Sequence, residues 1–167
     1  MTALRCNVSD LLHRPAARRA VRMEIPGLEL GGAVSARLSS TPLIVDLMLE
    51  HVPDGLVTHG RVTAEYESEC SRCLQPVKEA LTVRVSELFE KAPIEGETYP
   101  LEGEEIDLEL PIRDALLLNL PAAPLCREDC AGLCSICGID RNFATCDCDH
   151  HPPDPRWDAL SALTFET

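Results

Sequence analysis

Aromatic residues make up only 4% of this 167-residue chain, with one Trp, two Tyr and three Phe. A core so poor in rings must be filled by Leu, Val, Ile and Ala, and it gains little from aromatic packing. No run of about 18 consecutive apolar residues occurs, which excludes a membrane-spanning helix. The stretch MTALRCNVSDLLHRPAARR contains no secretory apolar segment, so a reducing, cytoplasmic setting is expected. Basic residues are also scarce, 15 against 28 acidic, for a formal charge of −13. A phosphate backbone repels such a chain, so strong direct RNA binding is not expected. Nucleophile elbow, P-loop, HExxH and Rossmann glycine run are all missing, and with them the usual signatures of catalysis and of a small-molecule substrate. The adjacent acids Glu104 and Glu105 would point to opposite faces of a strand and could not share a Mg²⁺ ion.

Cysteine is what the chain has in excess, with nine in all. Eight form close pairs: Cys70 with Cys73, Cys126 with Cys130, Cys134 with Cys137, and Cys146 with Cys148. Two thiolates a few residues apart can reach one ion from a single tight turn, so four pairs supply two tetrahedral four-sulfur sites. In a reducing compartment CxxC pairs serve metals or catalysis more often than disulfides, and an odd total suits a disulfide framework poorly. Two zinc ions per chain are therefore expected, with Cys6 left over.

The length allows one domain, or one domain with a small module. A short helix is expected near Ser9 to His13. Gly31 to Ser39 and Leu43 to Val52 read as strands, and Pro53, Asp54 and Gly55 as a hairpin turn. Leu56 to Glu69 alternates cleanly and runs into Cys70 to Cys73, and Val77, Leu81, Val83 and Val85 alternate on the return strand. The CxxC thus sits at a hairpin tip. Lys91 to Glu105 reads as a loop, and Ile106, Leu108 and Leu110 as a short strand. Pro111 suits a first helical position, with Pro121 ending that helix. From Cys126 the chain becomes loops with Gly132 and Gly138, too poor in large apolar side chains to fold without a metal staple. Asp154 and Pro155 suggest a closing helix to Leu163, with Trp157, Leu160 and Leu163 on its buried stripe. The expected fold is α+β: an N-terminal arm (1–30), a mostly antiparallel β body (31–125) with a short helix, and a zinc-stapled cysteine-rich module with a C-terminal helix (126–167).

Cys134, Ser135, Ile136, Cys137 and Gly138 form a zinc-knuckle sequence whose nearest complement is Cys146 with Cys148. Cys70 and Cys73 are left to meet Cys126 and Cys130, tying the hairpin tip to the segment that leaves the helix. Arg72, Arg127 and Arg141, one per loop, could offset thiolate charge or simply face solvent. His150 and His151 could replace a cysteine, though HHPP reads more simply as a loop. Fully ionised thiols with two zinc ions would take the formal charge to about −17. The acid concentrates between Glu87 and Asp129, while Arg14, Arg18, Arg19 and Arg22 form the one basic cluster. Solvated surface and a mobile basic arm are the simpler readings of these runs. If the acid does bind, its partner is a basic protein.

Glu69 to Leu74, Glu87 to Phe89, Ile106 to Leu108, Leu120 and Pro121, the six cysteines from Cys126 to Cys148 with Gly132, Leu133 and Gly138, and Asp154 to Arg156 with Leu160 follow one another in an order that resembles the YceD family. The resemblance spans about residues 31 to 163 and departs at Ser135 and at Ile139 to Asn142. It implies a non-catalytic factor that supports 23S rRNA accumulation and large ribosomal subunit biogenesis; in that setting the net charge and the acidic stretch from Glu87 to Asp129 point to a basic ribosomal or rRNA-processing protein as partner. It also implies that the last four cysteines are an optional stabiliser. Two alternatives remain: a redox- or zinc-responsive thiol switch, and a thiol–disulfide oxidoreductase. The oxidoreductase would want its CxxC at a helix N-terminus, where the expected strand–turn–strand places none.

Overall fold

Two 15-residue strands, β5 (Gly55–Glu69) and β6 (Pro76–Glu90), dominate the computed structural model, which describes residues 4–26, 36–148 and 156. They pair antiparallel from Leu56↔Phe89 to Glu69↔Pro76, a ribbon of about 50 Å at strand rise. Period-two alternation explains it. Leu56, Thr58, Val62, Ala64 and Tyr66 are buried on the inner face of β5, and Val77, Val83, Val85 and Phe89 on that of β6, while most of the intervening residues are exposed or half-buried. The Cys70 to Gln75 turn closes the far end.

Along its other edge β5 takes two partners. Strand β4 (Leu43–Val52) pairs from Ile44↔Thr63 to Val52↔Gly55, around a turn at Pro53 and Asp54, and the short β3 (Ala36–Leu38) pairs with Tyr66 to Ser68. Strand β2 (Arg18–Ile25) adds to β4 over eight residues. On the other side β6 meets β7 (Tyr99–Glu102) in a brief parallel pairing, then β8 (Glu105–Asp107) and β1 (Arg5–Asn7). The order is β1-β8-β7-β6-β5-β4-β2. Its two ends, β1 and β2, are joined through α1 (Ser9–Leu12), and Arg19 of β2 donates to the carbonyl of Asn7 at 2.7 Å. The sheet therefore curls.

The main core lies inside this curl, where Leu4, Val8, Leu47, Leu49, Leu56, Ile106, Ile112 and Phe89 are essentially inaccessible. Each large apolar side chain buried this way contributes roughly 1.5–3 kcal/mol. Helix α2 (Glu109–Asn119) packs against β6, inserting Ile112 and Leu116 into the core. No helix among the described residues is long and apolar enough to cross a membrane.

Three details differ from the sequence reading. Residues 5–7 and 18–25, within the segment expected to be an arm, are strands of the sheet, because the inward-facing Val21, Met23 and Ile25 pack with the core. The strand begun at Ile106 stops at Asp107, whose Oδ1 accepts the N–H of Glu109 at 2.9 Å, so α2 begins two residues before Pro111. Pro111 then stands third in the helix, still within the turn whose N–H groups lack helical partners. Third, β7 forms inside the stretch read as a loop. The expected strand from Gly31 is described only at its Ala36–Leu38 end, and the closing helix from Pro155 and both His150 and His151 lie outside the described residues, Arg156 excepted.

Candidate metal centres

The long hairpin carries its CxxC clear of the main core, to a second small cluster in which Cys70, Cys73 and Cys130 are buried with Val77 beside Leu125, Cys126 and Leu133. Here the sulfurs of Cys70, Cys73, Cys126 and Cys130 lie within 4.8 Å of one another. Cys70 and Cys130 are 3.9 Å apart, and Cys73 and Cys126 are 3.6 Å apart. A tetrahedral ion with metal–sulfur bonds of about 2.3 Å requires S···S separations of about 3.8 Å, so these thiols already stand where such an ion needs them. No cysteine is in a disulfide.

Cys134, Cys137, Cys146 and Cys148 form the second group, within the same 4.8 Å limit. It is nearer the surface: Cys134 is buried, Cys146 and Cys148 are half-exposed and Cys137 is exposed. The N–H groups of Ile136 and Cys137 both donate to Cys134 Sγ at 3.4 Å, and Gly138, at φ +73°, returns its N–H to the carbonyl of Cys134. Knuckle geometry of this kind aims backbone dipoles at a thiolate. Both groups could hold a metal ion.

The first knuckle repeats the turn with a different residue at its end. Leu74 donates its N–H to the carbonyl of Cys70 at 2.9 Å and takes φ +62°, the position that Gly138 fills in the second. A side chain there strains the backbone, and a β-branched one strains it most. Leu74 is 59% exposed, so little packing is at stake. Leu74→Val should lower stability by about 1–2 kcal/mol, whereas Leu74→Gly should be neutral or stabilising. Thermal melts of the metal-loaded variants check the order, and a more stable valine variant would refute it.

Charge at the sulfurs follows from these N–H groups. Burial pushes Cys70 up, but the N–H groups of Cys126, Arg72 and Cys73 outweigh it and bring the thiol down to about 6. The N–H of Cys137, with that of Ile136 and against burial, brings Cys134 to about 6 as well. Cys130 is lowered: burial opposes, and the side-chain amide of Asn142 and the N–H of Gly132 prevail. The remaining partners go the other way. Burial and the neighbouring thiols Cys73, Cys130 and Cys70 push Cys126 up to about 12, and Cys137, burial and Cys134 push Cys148 up to about 12. Cys73 and Cys146 are raised too: the N–H of Gln75 lowers the first and that of Cys148 the second, but burial and adjacent sulfurs prevail. Each cage therefore holds some thiolate already and must shed protons to complete four ligands.

A seam of backbone hydrogen bonds ties the two groups together. Ser71 N–H donates to Pro124 O, Leu133 N–H to Arg72 O, and Arg141 N–H to Gly132 O, all between 2.8 and 2.9 Å. Gly132, at φ +73°, is needed here because a Cβ would stand 2.9 Å from the Arg72 carbonyl oxygen. Asn142, which sequence reasoning did not single out, links the cages: its Nδ2 donates to Cys130 Sγ at 3.5 Å while its Oδ1 accepts from Arg127 and from the N–H of Ala131. Its one signal in sequence was a place in the short polar run between Cys137 and Cys146. The arginines have varied roles. Arg72 donates to the carbonyls of Glu128 and Cys130, clamping the second loop, and Arg127 pairs with Asp129 besides reaching Asn142, while Arg141 is exposed. Cys6 lies in the main core, where burial, against Arg19, raises its thiol.

An uncharacterized protein of Mycobacterium tuberculosis is 35% identical over 158 residues, which cover 90% of this chain and 70% of that protein. Another, from Mycobacterium leprae, is 36% identical over 166 residues, covering 94% of this chain and 76% of its own length. A chloroplastic Arabidopsis thaliana protein, YCED homolog 1, named for large ribosomal RNA subunit accumulation, is 34% identical over 65 residues, 39% of this chain and 20% of that protein. No solved structure matches the chain. The profile of the family described as large ribosomal RNA subunit accumulation protein YceD matches residues 58–164, the stretch that holds both four-sulfur cages, and the chain belongs to that family.

Proposed function

We propose that this protein is a non-catalytic, cytoplasmic factor that holds two structural zinc ions and supports 23S rRNA accumulation during large-subunit biogenesis. One observation supports it most: two closed cages of four cysteine sulfurs, inside a family named for large ribosomal RNA accumulation. Four thiolates leave no open position for a reacting water or substrate, which is how structural zinc sites differ from catalytic ones. All-sulfur tetrahedral donors suit zinc or iron–sulfur centres, and the redox-inert ion fits knuckles that bind the sulfurs so closely to backbone N–H groups. Elemental analysis after anaerobic, chelator-free purification should find two zinc ions per chain. Deleting the gene should lower 23S relative to 16S rRNA, and equal ratios across growth temperatures would sink the ribosomal reading.

The partner we infer is a basic ribosomal or rRNA-processing protein, with neither a membrane nor a small-molecule substrate involved. A charge of −13 favours cationic surfaces and disfavours naked RNA at physiological salt. Gentle-salt co-purification should retain basic proteins, and isolated 23S fragments should bind far more weakly than micromolar. Removing residues 1–22 is no test of RNA binding, since it would cut into β2 and the sheet. Specific submicromolar binding to naked RNA at physiological salt would refute this account of the partner.

A further inference from the structure

The register of the sheet creates a feature that no stretch of sequence contains. On the outward face Arg22 of β2 stands opposite Asp46 of β4, Asp46 opposite Arg61 of β5, and Arg61 opposite Arg84 of β6. All four side chains are exposed. Three arginines thus share one row across four hydrogen-bonded strands, in a molecule with almost twice as many acidic as basic residues. Neighbouring strands are about 4.8 Å apart, so Arg61 and Arg84 project side by side.

That placement is unfavourable by itself. Like charges directly opposite on paired strands repel. The other basic side chains of this face are neutralised: Arg18 pairs with Glu50 at 2.8 Å, Arg37 with Glu67 at 3.3 Å and Lys78 with Glu65 at 3.2 Å. Arg22, Arg61 and Arg84 have no ion pair among the described residues, and Asp46 stands within 4.0 Å of none of their guanidinium nitrogens. On either side of the Arg61–Arg84 pair the rows hold no acidic side chain and carry hydrogen-bonding groups. His59 faces Ser86 on one side, and Thr63 faces Thr82 on the other, their hydroxyls 3.0 Å apart. Three successive rows of β5 and β6 therefore carry no carboxylate.

We propose that this outward face of β5 and β6, centred on Arg61 and Arg84 with Arg22 in the same row, contacts the phosphate backbone of RNA. Guanidinium forks and hydroxyls are the usual donors to phosphate oxygens. Phe, Tyr and Trp are absent from this face among the described residues, so bases have no ring to stack on and the contact reads charge rather than sequence. Only two or three phosphates are engaged, against the repulsion of an acidic body. The contact is accordingly weak alone and takes effect once a protein partner holds the molecule beside RNA. The proposal rests on the ribosomal reading above for its choice of RNA.

Fluorescence anisotropy of the full zinc-loaded chain with a short single-stranded RNA, and with the matching duplex, tests it at about 50 mM salt and upward. The double variant Arg61→Gln/Arg84→Gln should bind roughly tenfold more weakly at low salt, and the slope of log K against log salt should shrink by about 1.4 on single strands, or about 0.7 for each phosphate no longer neutralised. Arg61→Lys/Arg84→Lys should keep most of the binding, because phosphate reads the charge. Asp46→Asn should tighten it. The glutamine variant should melt no lower than the parent, since a repulsive pair has been removed, which separates this role from a structural one. Equal binding by the parent and glutamine chains, or no binding by the parent at low salt, would overturn the proposal. So would a glutamine variant that keeps RNA but loses a co-purifying acidic protein. These binding results decide the face by themselves, and the 23S to 16S ratio decides the ribosomal reading, so either can fail without the other.

Discussion

Replacing Cys70 by serine is expected to remove one of two bound metal ions and lower the melting temperature by more than about 8 °C, while replacing Cys146 removes one ion and costs only a few degrees. The asymmetry comes from what each cage holds. Cys70 and Cys73 are buried at the tip of the β5–β6 ribbon, and through Cys126 and Cys130 they fasten that tip to the chain that leaves α2. Little else is buried there besides Val77, so without metal the far half of the ribbon loses its anchor. Structural zinc sites in small modules are worth on the order of 10–16 kcal/mol, and losing even about 4 kcal/mol in a chain of this size lowers the midpoint by roughly 8–16 °C. The second cage closes a local loop, from Cys134 to Cys148, and two of its four cysteines are only half-buried while a third is exposed.

The main core belongs to a different cluster, built around Phe89, Leu56 and Ile112, and should outlast the loss of either ion. Hydrogen exchange in the Cys70→Ser chain should therefore show fast amides from about Tyr66 to Val77 and from Leu125 onward, with β4 and the near half of β5 still protected. Equal melting shifts for the two variants, or two ions retained by Cys70→Ser, would contradict this division. From sequence alone, loss of Cys70 would be expected to destabilise the entire body. The separation of the two clusters confines the damage to the tip and the module.

Much of this architecture was legible because period-two alternation is strong in Leu43 to Glu69 and in Val77 to Phe89, and because a CxxC at a hairpin tip interrupts it at one place. The N-terminal strand was hidden by Arg19. On the inward side of β2 this arginine breaks the apolar alternation, and its side chain escapes the core by reaching Asp10 at 2.6 Å and the carbonyl of Asn7. Strand β7 was hidden for another reason, as only Phe89↔Tyr99 and Glu90↔Pro100 attach it to β6, too few pairs to leave a pattern. The start of α2 was masked because Ile106, Leu108 and Leu110 continue an alternation that the backbone abandons at Asp107. Leu110 is 51% exposed on the helix, which shows that the third member was never an inward strand position. Two functional features lie beyond any local reading. Asn142 matters through a contact to Cys130 twelve residues away, and the arginine row exists only once the register places Arg22, Arg61 and Arg84 in line.

Zinc affinity should rise at least about hundredfold for each pH unit near neutrality, and the proton count behind that slope can be assigned to particular sulfurs. An ion bound by four cysteines needs four thiolates. In the metal-free first cage Cys70 has already ionised at pH 7, its thiol being held at about 6, but Cys126 is pushed to about 12 and Cys73 is raised, so both still carry protons. Binding must expel at least those two, and each proton released steepens the dependence of log affinity on pH by about one. In the second cage Cys148, at about 12, and Cys146, also raised, supply at least two more. Below about pH 6 the dependence steepens further, because Cys70 and Cys134 then take up protons that the metal must also displace. The stability consequence has a fixed sign. Metal-bound thiolates have a proton affinity far below that of an unfolded thiol, whose pKa is about 8.5, so the stability they confer is complete above that value and is lost as pH falls. Calorimetric titration in buffers of different ionisation enthalpy counts the protons directly. Fewer than two per ion at neutral pH, or an affinity that stays flat between about pH 6.5 and 8, would show that the sulfurs are not the ligands or that the N–H groups around them do not set their charge.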